Sequence, residues 1–340
     1  MKAIVYTETG GPDVLRPVDR PVPEPGPGEV RVRVAVSGVN PTDWKTRSGT
    51  GPGQPLAFPE MVPNQDGAGT VDAVGPGVQL STGRRVWLWE AAWQRPGGTA
   101  QEMLVIPQEQ AVALPDHASF DLGASLGIPA LTAHRCLTVS DGGPDRLAPG
   151  ALDSRVVLVA GGAGAVGHAA IQLARWAGAT VLTTVSSPAK AELARLAGAH
   201  HVIDYRAQDA VQAIRAIAPD GVDMVVEVAP TANAALDTAV VAQHATVAIY
   251  ANDSDDPMLL PVRANMIPNT RYQFVLIYNV PRDVKLRAVE DITAAVTAGA
   301  LPVGPDAGLA LHRFALEQTG SAHAAVHAGV VGKVLIDVAP

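Results

Sequence analysis

Gly162, Gly164 and Gly167 carry the clearest chemical signal in the sequence. They follow the β-branched apolar run Arg155-Val-Val-Leu-Val-Ala160 and open an alanine-rich helical pattern, so the G-x-G-x-x-G spacing falls where a strand turns into a helix. In that setting one glycine makes a tight turn, one lets backbone N–H groups approach a pyrophosphate, and one lets helix and strand pack closely. Ala165 and Val166 begin the helix, whose unpaired donors and positive dipole end favour phosphates. A dinucleotide is the expected ligand. Where the second strand ends, at 185, NAD-binding proteins usually place an acid for the ribose 2′-hydroxyl. Here the chain reads Ser186-Ser-Pro-Ala-Lys190, with no carboxylate before Glu192. Ser186, Ser187 and Lys190 suit a 2′-phosphate, which predicts NADPH rather than NADH. Ser187 and Pro188 also read as the N-cap and first position of a helix, and a capped helix start is itself an anion site. Tyr250 and Ile277, on two later strands, are taken into the cofactor-binding set as well.

Such groups need a parallel α/β sheet to position them. From about 155, strands at 155–160, 180–185, 201–205, 224–228, 246–250 and 274–278 alternate with helical patterns such as 166–177, 188–197 and 210–218. This is the grammar of a doubly wound parallel sheet. Residues 1–125 are instead mostly β, with short runs at 2–6, 29–36, 68–74, 85–89 and 100–106, and Pro/Gly-rich turns at 21–28 and 49–55. They suggest a partly closed, barrel-like domain. Helical patterns at 283–298 and 317–327 and a strand at 333–337 are expected to return to that first domain; an independent C-terminal subdomain is the alternative.

At 340 residues the chain can bury two cores. No run reaches the ~18–20 apolar residues of a membrane span, and residues 1–6 alternate like a strand rather than forming a signal-peptide core. The single cysteine, Cys136, excludes a disulfide within the chain and a thiolate zinc cluster, and reads as a small buried hydrophobe. A net charge of −8 argues against nucleic-acid or anionic-membrane partners. A cytoplasmic location is expected by default.

The motifs Gly38-Val-Asn-Pro-Thr-Asp-Trp-Lys45, Pro63-Asn-Gln-Asp-Gly-Ala-Gly-Thr-Val71, Leu131-Thr-Ala133, Gly198-Ala-His-His-Val-Ile-Asp-Tyr205 and Gly332-Lys-Val334, with the glycine loop, are similar almost end to end to medium-chain dehydrogenases/reductases of the zinc-independent quinone oxidoreductase branch. The resemblance implies an α/β protein: a GroES-like, partly open β-barrel domain (1–125 and 282–340) and a Rossmann domain (126–281) with a doubly wound parallel six-stranded sheet. It implies an active site in the cleft between them. By position, Lys190 and Tyr205 match residues that contact the NADPH 2′-phosphate, with Ser186 nearby, and Thr132 matches a residue lining the nicotinamide side. It also implies a homodimer through the edge strand 274–278.

Asn40 stands where zinc-dependent relatives carry a cysteine ligand, and their Gly-His-Glu pattern reads Asn64-Gln-Asp66 here. A catalytic zinc needs about three protein ligands, so no metal is expected. The i,i+4 pair His323/His327 is expected to be solvated or to pack rather than to ligate. An NADPH site without a metal suits reduction of a quinone, or of the β-carbon of an α,β-unsaturated carbonyl. The protein's contribution is then a donor placed where negative charge develops. Lys45 is the candidate for that donor, with Asn40 supporting the geometry; the other reading makes Lys45 and Asp43 a surface pair of little worth. Trp44, Trp87, Trp89 and Trp93 wall an apolar cleft or form core. Two alternative functions stay open: a biosynthetic enoyl reductase of a bulky polyketide-like substrate, and a non-catalytic NADPH-binding redox sensor.

Overall fold

A computed structural model of the chain describes residues 1–51, 56–252, 254 and 256–338. Part of the turn-rich segment 49–55 therefore lies outside the described residues. Two compact units emerge, Met1–Ile128 with Ala310–Pro340, and Pro129–Leu309. In chain order the first unit begins with β1 (Lys2–Val5), β2 (Arg16–Asp19), β3 (Glu29–Val39), α1 (Pro41–Ser48), β4 (Asp66–Val74), β5 (Arg85–Leu88), β6 (Met103–Pro107) and β7 (Ala111–Ala113). Helix α2 (Phe120–Leu137) runs on into the second unit. There follow β8 (Val156–Ala160), α3 (Ala165–Trp176), β9 (Thr180–Val185), α4 (Pro188–Leu196), β10 (His201–Asp204), α5 (Ala210–Ile217), β11 (Val222–Glu227), α6 (Pro230–Val240), β12 (Val241–Ile249), α7 (Val262–Met266), β13 (Arg271–Phe274) and α8 (Arg282–Thr297). The chain then returns to the first unit as β14 (Leu311–Ala315), α9 (Thr319–His327) and β15 (Lys333–Asp337).

The first unit is built on a sheet of order β14-β15-β3-β4-β5-β7, with β6 also pairing β3. Strand β3 shows why: Val30, Val32 and Val34 are fully buried while Arg31 and Arg33 turn outward onto Asp72, so one alternating strand faces a core on one side and water on the other. Ile4, Val71, Leu104, Ile106 and Ile336 close that core. In the second unit a six-stranded, wholly parallel sheet runs β10-β9-β8-β11-β12-β13. Val157, Leu158 and Val159 on its central strand are at most 1% exposed, as expected for a strand covered on both faces. The order reverses beside β8, so the glycine loop leaves the sheet at its switch point, where α/β folds take ligands.

Two expectations differ from the structure. The edge strand predicted at 274–278 is β13, Arg271–Phe274; beyond it Val275, Ile277 and Tyr278 turn inward and are buried, and Ile277–Asn279 forms a 3₁₀ turn. The return to the first unit was expected at 282 but comes after Leu309. Helix α8 stays with the second unit because Asp291 accepts from Leu147 N (2.8 Å) and Arg146 Nε (2.8 Å) and bonds His134 Nε2 (2.8 Å).

Candidate functional site

The glycine loop divides its work differently from the expected triplet. Gly161, with φ +70°, makes the turn. A Cβ on Gly162 would lie 2.2 Å from Thr183 Oγ1, and one on Gly167 would lie 2.4 Å from Gly161 O, so both are close-packing positions. Gly164 is exposed, caps α3 in an extended conformation and has no atom nearer than 3.5 Å to such a Cβ. It is the position where the backbone is open to approach. Ala165 and Val166 follow as the first residues of α3, with their N–H groups at its positive end.

The neighbouring strand ends carry the polar groups. After β9, Ser187 Oγ caps α4 by accepting from Lys190 N (3.3 Å), and the Lys190 ammonium donates to Ser186 Oγ (3.1 Å). After β10, Tyr205 N donates to Val185 O (3.1 Å) and its side chain is half exposed. Parallel pairing thus brings Ser186, Ser187, Lys190 and Tyr205 to one edge of the sheet, with no acid among them. Tyr250 follows β12, and burial raises its phenol above the ordinary range. Thr132 in α2 and Ile277 are 5% and 4% exposed, so both belong to the packed interior of this unit.

A second constellation lies in the first unit, around Asn40. This residue caps α1, and Asp43 reaches back to accept its N–H (2.7 Å), an arrangement that fixes the start of the helix. The Asn40 amide is engaged at both ends: Nδ2 donates to Asp66 Oδ2 (2.6 Å), and Oδ1 accepts from Lys333 Nζ (2.8 Å). Lys333 also pairs with Asp66 Oδ2 at 3.2 Å, while Asp66 Oδ1 accepts from Ile128 N (2.9 Å). Lys333 and Asp66 are 1% and 0% exposed. A Cβ on Gly127 would fall 2.0 Å from Asp66 Oδ1, so α2 can bend onto that carboxylate only with glycine there. Burial, and then the Asp66 charge, push the Asp43 carboxyl up to about 8. At neutral pH Asp43 therefore keeps its proton, and Asp66 is left to pair with Lys333.

Lys333 belongs to the Gly332-Lys-Val334 motif, but reasoning from the sequence assigns it no role. Its signal was a lysine opening an otherwise apolar strand, Lys333-Val-Leu-Ile-Asp337. Lys45 is half-buried on α1, with Nζ 5.8 Å from the Trp44 ring centroid. The reading of Lys45 and Asp43 as a surface pair is overturned, because Asp43 is buried and turned onto Asn40. Trp44 stacks on His327 (centroids 4.0 Å apart) and His323 Nε2 bonds Asn64 Oδ1 (2.8 Å), so both histidines pack. Trp87 and Trp89 are core. Cys136 is buried, and burial pushes its thiol up to about 12.

Residues 26–116 match the family model for the alcohol dehydrogenase GroES-like domain, and residues 165–293 match that for zinc-binding dehydrogenase. The quinone oxidoreductase of Rattus norvegicus is 36% identical over 236 residues, 68% of this chain and 68% of its own. A solved structure described as NAD-dependent alcohol dehydrogenase superposes with a TM-score of 0.85 at 26% identity, covering 100% of both chains. That of mycobacterial Rv1454c complexed with NADPH gives 0.80 at 29% identity and covers 99% of both. The chain belongs to the quinone oxidoreductase family of medium-chain dehydrogenases/reductases and is an oxidoreductase.

Proposed function

We propose that the protein is an NADPH-dependent, zinc-independent reductase that delivers hydride to a quinone or to the β-carbon of an α,β-unsaturated carbonyl. The observation that carries the reading is the segment directly after β9, which holds no acid before Glu192 and in which Lys190 and Ser186 bond each other, while Asp204 at the end of β10 accepts from Arg206 N. Ser186, Ser187, Lys190 and Tyr205 would hold the 2′-phosphate. The open backbone at Gly164, with Ala165 and Val166, would hold the pyrophosphate, and Thr132, Tyr250 and Ile277 would bound the cofactor. NADPH supplies the hydride when bound. The relative complexed with NADPH supports this choice, and the neighbour described as NAD-dependent makes the 2′-phosphate the feature to test. Lys190→Ala removes one charge-assisted bond, worth on the order of 1.5–3 kcal/mol. KM for NADPH is expected to rise roughly 10–100-fold while KM for NADH stays put; an unchanged ratio removes Lys190 from the role.

The residues around Asn40 do not fit a zinc ion. Asn40 spends both amide atoms on Asp66 and Lys333, and Asp66 already answers a lysine, an amide and a backbone N–H. Among the described residues no group of three His, Cys, Asp or Glu side chains is placed to hold a metal ion. The acceptor must then be one already activated by conjugation. Lys45 is the donor for the oxygen on which charge develops, and Asn40, clamped from both ends, positions the start of α1 that carries it. The test follows NADPH oxidation with a panel of quinones, enones and enals. Turnover is expected, with kcat/KM in Lys45→Met reduced about 10–100-fold, the range of one lost electrostatic donor. Equal kcat/KM would remove Lys45 from catalysis, and binding without turnover on every acceptor would turn the reading into a sensor.

The protein is also proposed to form a homodimer through β13. This strand is the open edge of the parallel sheet, and Phe274 on it is 67% exposed. Helix α7 is tied to it by the Tyr272 hydroxyl, which donates to Asn265 Oδ1 (2.8 Å), and exposes Val262 and Met266 at 77% and 62%. An open strand edge with exposed Phe274, beside the apolar face of α7, invites pairing with a second copy. Sedimentation at micromolar concentration should give a dimer that Phe274→Asp splits; a wild-type monomer would overturn the assignment.

A further inference from the structure

The first unit contains a cavity of about 510 Å³ that neither the Asn40 network nor the glycine loop uses. It is of the size that takes small molecules. Pro21, Val22, Met103 and Val105 give it apolar walls, and Arg20, Glu29 and Arg95 are its charged lining. Val22 is 44% exposed, which leaves an apolar wall facing water. The rim is held rigid by backbone bonds, Val62 N to Pro96 O (2.7 Å) and Gly98 N to Val62 O (2.9 Å).

Arg95 is the feature without an explanation in the fold. Its Nε and Nη2 both donate to Ala91 O (3.3 and 2.9 Å), which turns one edge of the guanidinium inward. The other edge, Nη1 with the second Nη2 hydrogen, is left without a partner among the described residues and forms a fork suited to a carboxylate. Burial disfavours the Arg95 cation, and the Glu29 and Glu109 charges partly offset that. Arg20 is already paired, with Glu60 at 2.8 Å. Glu29 turns Oε2 onto Gly26 N (3.0 Å) and brings negative charge to one side of the cavity. A partly desolvated guanidinium with a free fork, apolar walls and one acid together select a singly charged head on an apolar body, since a dianion would meet stronger repulsion from Glu29.

We propose that this cavity binds a small amphipathic carboxylate, of the kind of a medium-chain fatty acid, with its head group on the free fork of Arg95 and its chain along Val105, Met103 and Pro21. Nothing in this assignment depends on the reductase reading, because it is tested by binding alone. Octanoate and 1-octanol are titrated calorimetrically into the full-length protein, with and without saturating NADPH. Octanoate should bind equally in both conditions, and octanol much more weakly. Arg95→Met should weaken octanoate roughly tenfold or more, as loss of a charge-assisted pair does. Glu29→Gln should tighten it, and Val105→Phe, which sets a ring across the path of the alkyl chain and leaves the cavity's charge alone, should weaken it. If Arg95→Met melts early, Arg95→Lys retains the charge without the fork and should still bind more weakly than the wild type. No heat with octanoate, equal affinity for octanol, or octanoate binding indifferent to Arg95 and Val105 would each overturn the proposal.

Discussion

Lys333→Met is expected to lower the stability of the first unit by about 3–5 kcal/mol, the cost of leaving one member of a buried ion pair behind. The Asp66 carboxylate would keep its bonds from Asn40 and Ile128 but lose the cation that pairs with it. Asn40 Oδ1 would lose its donor at the same moment, so the damage spreads to the cap of α1. Paired substitution is the control. Asp66→Asn with Lys333→Met removes the stranded charge and should recover a large part of the loss, because exchanging a buried pair for neutral groups often costs little. Urea unfolding followed by the first unit's tryptophans reads the difference as a shift of midpoint. A single variant as stable as the wild type would mean that Asp66 reaches water or sheds its charge at no cost, and the network would not be what holds the start of α1.

The same network shows where the sequence stops being legible. The alternating valines of β3 and the β-branched run of β8 announce their burial locally, because period two and a continuous apolar stretch have few other uses. Lys333 announces nothing: its partners lie at positions 40 and 66, and a lysine before an apolar strand reads equally well as a solvated end. The α8 boundary failed for a related reason. The helix itself was read nearly to the residue, but its allegiance is set by Asp291 reaching His134 and Arg146, contacts with no local trace. At the edge strand the error came from a local signal that was too strong. Val275-Leu-Ile-Tyr278 has the composition of a strand, yet the ladder stops at Phe274, and Val275, Ile277 and Tyr278 turn inward while Leu276 stays exposed, leaving the more polar Arg271-Tyr-Gln273 to form the edge. In the glycine loop the spacing marks the turn from β8 into α3, and the adjacent Gly161 and Gly162 leave open which of them makes it.

That loop supports a prediction that separates folding from binding. Gly164→Val should leave the fold intact, since the residue sits at φ −82° and ψ 162°, an extended conformation that suits a β-branched side chain, and a Cβ there meets nothing closer than 3.5 Å. The same side chain would occupy the space through which a pyrophosphate must come to reach the start of α3. NADPH affinity is expected to fall by roughly 100-fold or more, equivalent to about 2.7 kcal/mol. Gly167→Val should behave in the opposite order: its Cβ would lie 2.4 Å from a backbone oxygen and 2.9 Å from Gly162 Cα, so strand and helix must separate before any ligand is considered. Melting temperature and NADPH titration by fluorescence, measured side by side, give the test. Gly164→Val should melt with the wild type and fail to bind, and Gly167→Val should melt early. A Gly164→Val protein that binds NADPH as well as the wild type would place the phosphates elsewhere, and the cofactor assignment built on this loop would fall with it.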